Sequence, residues 1–241
     1  MEPTIAASRG GIRELSVESA WLDGEIAHLD DNGFPDFEQL QRDMRARAEH
    51  RLVYHVFDLP WLNGVDLTGQ RLLDRKQLLR EGIAGSGPQI RFTDQIIGDG
   101  HDVFAQADAL DLEGIVSKRS NSAYHPGVRS RDWQKVKCWR ALTVVVGGVV
   151  FDREGHIESL LAGTPVEGGL RFEGIVEFGL SRIDHLRELL VELATTESPF
   201  IGEWRPNQRR FWLRPDVTVE IRSLPRRPGR LLRHATAVRR G

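Results

Sequence analysis

Leu112-Glu113-Gly114-Ile115-Val116-Ser117-Lys118-Arg119 is followed, after a polar stretch, by Trp133-Gln134-Lys135-Val136-Lys137. The aromatic and β-branched residues of these segments predict short strands over 113–118 and 133–138. Residues 119–132 between them are polar, include Pro126 and Gly127, and read as a loop. The first strand opens on an acid and ends on a Lys-Arg pair, a set that can serve a metal and a polyphosphate together. A period of two puts Lys135 and Lys137 on one face of the second strand. Two adjacent ammonium groups repel unless an anion joins them; simple solvent exposure is the alternative. Lysine is scarce in this chain. All 33 basic residues are Arg except Lys76, Lys118, Lys135 and Lys137. Arg is a planar fork that stays protonated, whereas Lys is a compact point charge and a possible amine nucleophile. Three lysines in so short a span therefore mark a place that calls for a point charge.

Upstream, Leu22-Asp23-Gly24-Glu25-Ile26 lies in a predicted strand over 21–27, with Asp23-Gly24 as a tight feature inside it. A carboxylate beside a glycine at a strand end can face a ligand or a metal, though a plain Asp-Gly turn has the same sequence. Spacing at Phe37, Leu40 and Met44 predicts a helix over 36–49. Val53-Tyr54-His55-Val56-Phe57-Asp58-Leu59 falls in a strand over 52–59, where an aromatic is either core or a base-stacking platform. A helix over 70–81 carries Leu72, Leu73, Leu78 and Leu79 on one side and stops at Gly82. A strand over 89–97 and a helix over 101–110 complete this half.

Downstream the pattern changes near Arg140. Residues 142–151 are almost all apolar or Gly, as a buried strand would be. Strands over 157–162 and 170–178 flank the Gly168-Gly169 turn. Ser181-x-x-Asp184 predicts a helix start running to about Ala194, and a last strand covers 217–223. Strands, one helix and more strand fit a small Greek-key barrel of the OB type. The reading is therefore α+β, with one domain over 1–140 and an OB-fold β-barrel over 141–241.

Composition bounds the rest. The 241 residues are 40% hydrophobic and 28% charged, which suits a globular chain with a real core. No apolar run is long enough for a membrane span, and the N-terminus lacks a signal-peptide pattern, so a cytoplasmic setting is expected. The lone Cys138 forms no internal disulfide, and no Cys/His cluster has zinc spacing. The net charge of −2 hides an uneven distribution: residues 201–241 hold 11 basic and 3 acidic side chains. Clustered Arg of this kind is a footprint for phosphates, the alternative being a solvated tail.

Taken in order, these segments resemble the nucleotidyltransferase superfamily of ATP-dependent DNA ligases and mRNA capping enzymes. They are most similar to the ligase domain of the bacterial multi-domain end-joining ligases. D-G-E, F-D-L, E-G-I-V-x-K and W-x-K-V-K occur there in this order, and Val146-Gly147-Gly148 and Gly169-Leu170-Arg171-Phe172-x-Gly174 resemble the OB part. The resemblance implies a partial nucleotidyltransferase (adenylation) domain over 1–140. It implies Phe57 stacking on adenine, Glu25 and Glu113 serving the nucleotide and a divalent metal, and Lys118 beside phosphate. Lys135 and Lys137 would neutralise the α-phosphate, making Glu113, Lys135 and Lys137 catalytic. Arg9, in Ser8-Arg9-Gly10, resembles the Arg of an S-R-x-G segment near the ribose and phosphates. ATP and Mg²⁺ or Mn²⁺ are the implied cofactors. Nicked double-stranded DNA in repair and recombination is the implied partner, with Arg205, Arg226 and Arg239 as DNA contacts and no membrane involved.

The sequence departs from the family at its ends. The adenylated lysine of K-x-D-G has no counterpart, since Trp21 and Ile97 precede the two Asp-Gly pairs. Val238-Arg239-Arg240-Gly241 stands where the family runs L-R-x-D-K, and Pro225 to Arg230 lacks its W-T pattern. Both ends read as clipped, with the lysine expected from an upstream segment or a separate chain. The alternatives are an inactive module that binds nicked DNA, and an RNA ligase or capping-type nucleotidyltransferase.

Overall fold

The structure, a computed structural model, describes residues 17–183, 186–202, 210–226 and 228–240. The chain divides into two compact units, Met1–Gly98 with Val116–Gln134, and Asp99–Ile115 with Lys135–Gly241.

In the first unit β1 (Ala20–His28) runs antiparallel to β2 (Leu52–Leu62). β2 also pairs with the short β3 (Val65–Asp66) and, in parallel, with β4 (Ile90–Phe92). Asn63 and Gly64, both at positive φ, close the β2–β3 turn, the conformation a two-residue hairpin favours. The core is Val56, Leu59, Leu67, Leu79, Ile83 and Ile90. β4 is shorter than the expected 89–97. The Thr93 N–H donates to Val56 O, Lys76 Nζ caps Thr93 O, and the ladder ends there; Ile96 and Ile97 beyond it are exposed.

Two helices of this unit correct the apolar patterns. α1 (Phe37–Ala46) ends at Ala46 because Arg47 adopts a left-handed conformation. Its buried residue is Asp43, bonded to His28 Nδ1, while Phe37 and Met44 are half exposed. α2 (Leu72–Gly82) buries Leu72, Arg75, Lys76 and Leu79. That is a regular i, i+3, i+4, i+7 stripe, but two of its members are cations, whereas Leu73 and Leu78 lie at its margins.

In the second unit α3 (Gly100–Ala109) starts at Asp99, whose side chain accepts the His101 N–H. Seven antiparallel strands follow: β7 (Arg140–Phe151), β8 (Ile157–Val166), β9 (Gly169–Val176), β10 (Ala194–Thr195), β11 (Arg210–Leu213), β12 (Thr218–Ser223) and β13 (Thr236–Arg240). β7 is the centre. β12 pairs along its first half, β11 along its second, and β8 along the other edge. Val144, Val146 and Val149 feed one core and Val145 and Val150 another, so both faces of β7 are covered and its sequence is continuously apolar.

The path of strands is open among the described residues, and no closed barrel is present. One bridge, Phe178↔Thr236, ties the segment after β9 to β13. The expected last strand over 217–223 is not the last: β13 follows it, and β11 precedes it. The Arg-rich end thus contributes three strands to the sheet among its described residues. The expected helix from Ser181 begins later. Leu180–Arg182 is a 3-10 turn containing Ser181, α4 covers Leu186–Leu193, and Asp184 lies outside the described residues. Arg9 and Arg205 also lie outside them.

β5 (Gly114–Lys118) and β6 (Trp133–Lys137) form a separate two-stranded sheet, and the division between the units runs through both strands. No helix among the described residues is long and apolar enough to cross a membrane.

Candidate active site

In the first unit the conspicuous feature is an ammonium group among aromatic rings. Lys118 Nζ lies 4.0 Å from the Phe57 ring centroid and 3.5 Å from that of Trp133. Phe57 meets Trp133 edge to face at 6.1 Å, and Tyr124 does the same from another side at 6.0 Å. Loss of water lowers the Lys118 pKa to about 8, although Asp58 and Asp23 oppose the shift.

The residues around this cluster are held from beneath. Asp58 and Arg75 are both fully buried and form a two-pronged ion pair, Nε to Oδ1 at 2.7 Å and Nη2 to Oδ2 at 2.8 Å. Arg75 also donates to Ser122 O at 3.0 Å, and the Tyr124 N–H bonds Thr68 O. The polar stretch 119–132, read as a loop, is thus pinned to α2 and to Thr68 just before it. The partly buried Tyr124 hydroxyl donates to Asp23 Oδ2 at 3.0 Å. Burial pushes the Asp23 carboxyl up, more than the Tyr124 bond pulls it down. Asp23-Gly24 is not a turn but a pair of register shifts within β1. A side chain at Gly24 would meet His55 O and the Tyr54 ring, each 2.6 Å from its Cβ. Glu25, one residue on, is exposed and stands opposite His55.

In the second unit Gly114 has a φ of +146°, and a Cβ there would collide with the Val136 carbonyl. Only glycine lets β5 approach β6 so closely. Glu113, just before it, accepts the Cys138 N–H at its backbone carbonyl, and its carboxylate pairs with Arg233. Lys137 Nζ and Arg222 Cζ lie 5.1 Å and 4.7 Å from the Trp139 ring. His234 is pulled down by desolvation and by Lys137 and Arg233, so cations gather here. Lys135 is exposed. Two predicted DNA contacts already have carboxylate partners: Arg226 with the buried Glu173 at 2.5 Å, and Arg239 with Glu220 through two bonds of 2.8 Å.

Of the predicted nucleotide residues, the structure brings Phe57 and Lys118 into contact and sets Glu113 in an ion pair. Glu25 lies in the first unit, and Lys135 and Lys137 in the second. Sequence reasoning missed Trp133 and Tyr124 as walls around Lys118, Arg233 as the partner of Glu113, and Asp58–Arg75 as the support. Arg75 was invisible because a cation on a helix reads as surface. Glu25, exposed in the first unit, and Glu113, in the second, each offer hard oxygen donors of the kind Mg²⁺ takes. The Glu113 carboxylate is engaged by Arg233, so a metal there would take the place of the guanidinium. Asp152, Glu154 and His156 also cluster at the exposed β7–β8 turn, where Asp152 accepts the backbone N–H groups of Glu154 and His156.

Comparison with known proteins places these features in a family. The ATP dependent DNA ligase domain matches residues 2–137, and the ATP dependent DNA ligase C terminal region matches 153–240. The multifunctional non-homologous end joining protein LigD of Mycobacterium bovis is 39% identical over 192 residues, which is 78% of this chain and 25% of that protein. LigD of Pseudomonas aeruginosa is 33% identical over 231 residues, covering 92% of this chain and 27% of the relative. The chain thus spans about a quarter of the length of these curated relatives. A solved Lig E DNA ligase shares the fold, with a TM-score of 0.58 at 17% identity over 91% of this chain and 76% of that one.

Proposed function

This chain belongs to the ATP-dependent DNA ligase family, and from that premise we propose that it handles an adenylated DNA end and closes the nick beside it. The observation that carries this reading is the cluster of Phe57, Lys118 and Trp133, where a stacking platform and a phosphate-seeking cation lie together. Residues 141–241 are read as an OB-type domain that follows an adenylation domain over 1–140. A cytoplasmic repair or recombination setting agrees with the family.

The sequence carries no K-x-D-G lysine, so the step proposed is the one that does not use it. A 3′-hydroxyl attacks the phosphorus of an adenylated 5′ end. A phosphodiester P–O bond forms, the anhydride P–O bond breaks, AMP departs with the electron pair, and the hydroxyl proton passes to solvent. Such a displacement depends on positioning and charge neutralisation. Phe57 offers its ring to adenine. Lys118, Lys135 and Lys137 offset charge on the phosphates, and Arg9 approaches the ribose and phosphates. Glu25 and Glu113 would hold Mg²⁺ or Mn²⁺, which supplies Lewis-acid stabilisation of developing negative charge. Arg205, Arg226 and Arg239 are proposed to meet the DNA backbone, Arg226 and Arg239 by exchanging a carboxylate for a phosphate.

The test is a nicked duplex whose 5′ end is already adenylated. With divalent metal and no ATP, the chain is expected to seal it slowly, and Lys135→Ala to lower the rate by about 10²–10³, the scale for one preorganised charge-stabilising group. Binding without sealing by a folded preparation would leave only the inactive, nicked-DNA-binding reading.

A further inference from the structure

Lys118 stands where its proposed role would not put it. A lysine serving phosphates should reach outward, yet its Nζ lies over the Phe57 ring at 4.0 Å and over Trp133 at 3.5 Å. Among the described residues it has no salt-bridge partner. Asp58 and Asp23, the acids whose charge acts on it, are engaged elsewhere, Asp58 by Arg75 and Asp23 by Tyr124. What holds the ammonium is the negative face of the rings. A base stacking on Phe57 needs the same face, so base and ammonium exclude one another.

We propose that Lys118 is a placeholder in the adenine site, which a base must expel, and that expulsion delivers the ammonium to the nucleotide's phosphates. This rests on the reading of Phe57 as the adenine platform. Its consequence is specificity. A nucleoside displaces Lys118 and gains nothing in return. A nucleotide displaces it and then pairs with it. Selectivity is a difference of two affinities, and here one side chain acts on both, penalising adenosine and favouring ATP. Trp133 takes part as the second wall. Tyr124, packed against Trp133 and anchored through Asp23, limits how far that wall can turn. The four-carbon stem of Lys118 gives the head the freedom to swing.

The test compares adenosine with ATP, binding being measured by calorimetry on the full 241-residue chain without metal. The proteins are the parent, Lys118→Met and Lys118→Arg. Met keeps the length and removes the charge; Arg keeps a cation on the rings. Lys118→Met is expected to bind adenosine about three- to tenfold tighter, the range of one partly desolvated cation–π contact, and to bind ATP more weakly than the parent. Lys118→Arg should stay near the parent with adenosine, and near-UV circular dichroism should show native packing in all three. If Lys118→Met loses ATP affinity while adenosine binds no tighter, Lys118 is a phosphate contact only; the placeholder is then wrong and the nucleotide reading stands. If a folded parent and both variants bind neither compound, the adenine platform is wrong and the placeholder falls with it.

Discussion

Desolvation between Phe57 and Trp133 brings the Lys118 amine down to about 8, against the pull of Asp58 and Asp23 and with help from Lys76 and Arg75. In the unfolded chain the same amine titrates near the ordinary lysine value. Between these two pH values the unfolded state binds more protons, so stability rises with pH across that window. The desolvation penalty is fully present below pH 8 and relieved as pH climbs toward about 10.5. Stability from urea unfolding between pH 7.5 and pH 10 should therefore rise more steeply in the parent than in Lys118→Met, whose remaining slope combines Lys76, lowered by desolvation, with Cys138 and Tyr124, which burial raises and which act in the opposite direction. Coinciding slopes for the parent and Lys118→Met over that range would contradict the burial of Lys118. At this scale the scarcity of lysine drew attention to Lys118. What it could not supply was the direction of the side chain, because the rings that hold Lys118 come from positions 57 and 133 and their meeting is a tertiary event.

Strand edges were legible where local chemistry decides them and not where a partner does. β5 and β6 fell within a residue of expectation, since Gly114 and the aromatic start at Trp133 are local signals. Gly114→Ala is expected to cost about 2 kcal/mol or more, from a Cβ forced into left-handed backbone and against Val136 O. Hydrogen exchange reads it locally: the Cys138 amide, bonded to Glu113 O, should lose protection far more than amides in the β7–β8 ladder. Equal protection in parent and variant would show that β5 and β6 do not depend on the glycine. β4 was overextended because apolar residues 96 and 97 look like strand but find no edge to join. β13 was missed because Thr236 to Arg240 holds little apolar sequence; it exists through pairing with β12.

Across the whole molecule the change of pattern near Arg140 was visible, as was the excess of Arg at the C-terminal end. The fate of that charge was not, because ion pairs such as Arg239–Glu220 and Arg226–Glu173 join residues 19 and 53 positions apart. Binding to a nicked duplex should weaken with salt, and Arg239→Ala should reduce the slope of log K against log salt by about 0.9, the share of one phosphate. Glu220→Gln, which frees the guanidinium, should tighten binding at low salt. An Arg239→Ala slope identical to the parent's would assign this arginine to the sheet alone. The buried Asp58–Arg75 pair bears on inheritance as well as on packing. Either residue alone leaves an uncompensated charge in a dry interior, so a descendant that loses one is under pressure to lose the other. Among related sequences, positions 58 and 75 should be replaced together or kept together, and the buried Ser122, which offers Arg75 only its backbone carbonyl, should vary among small residues beside them.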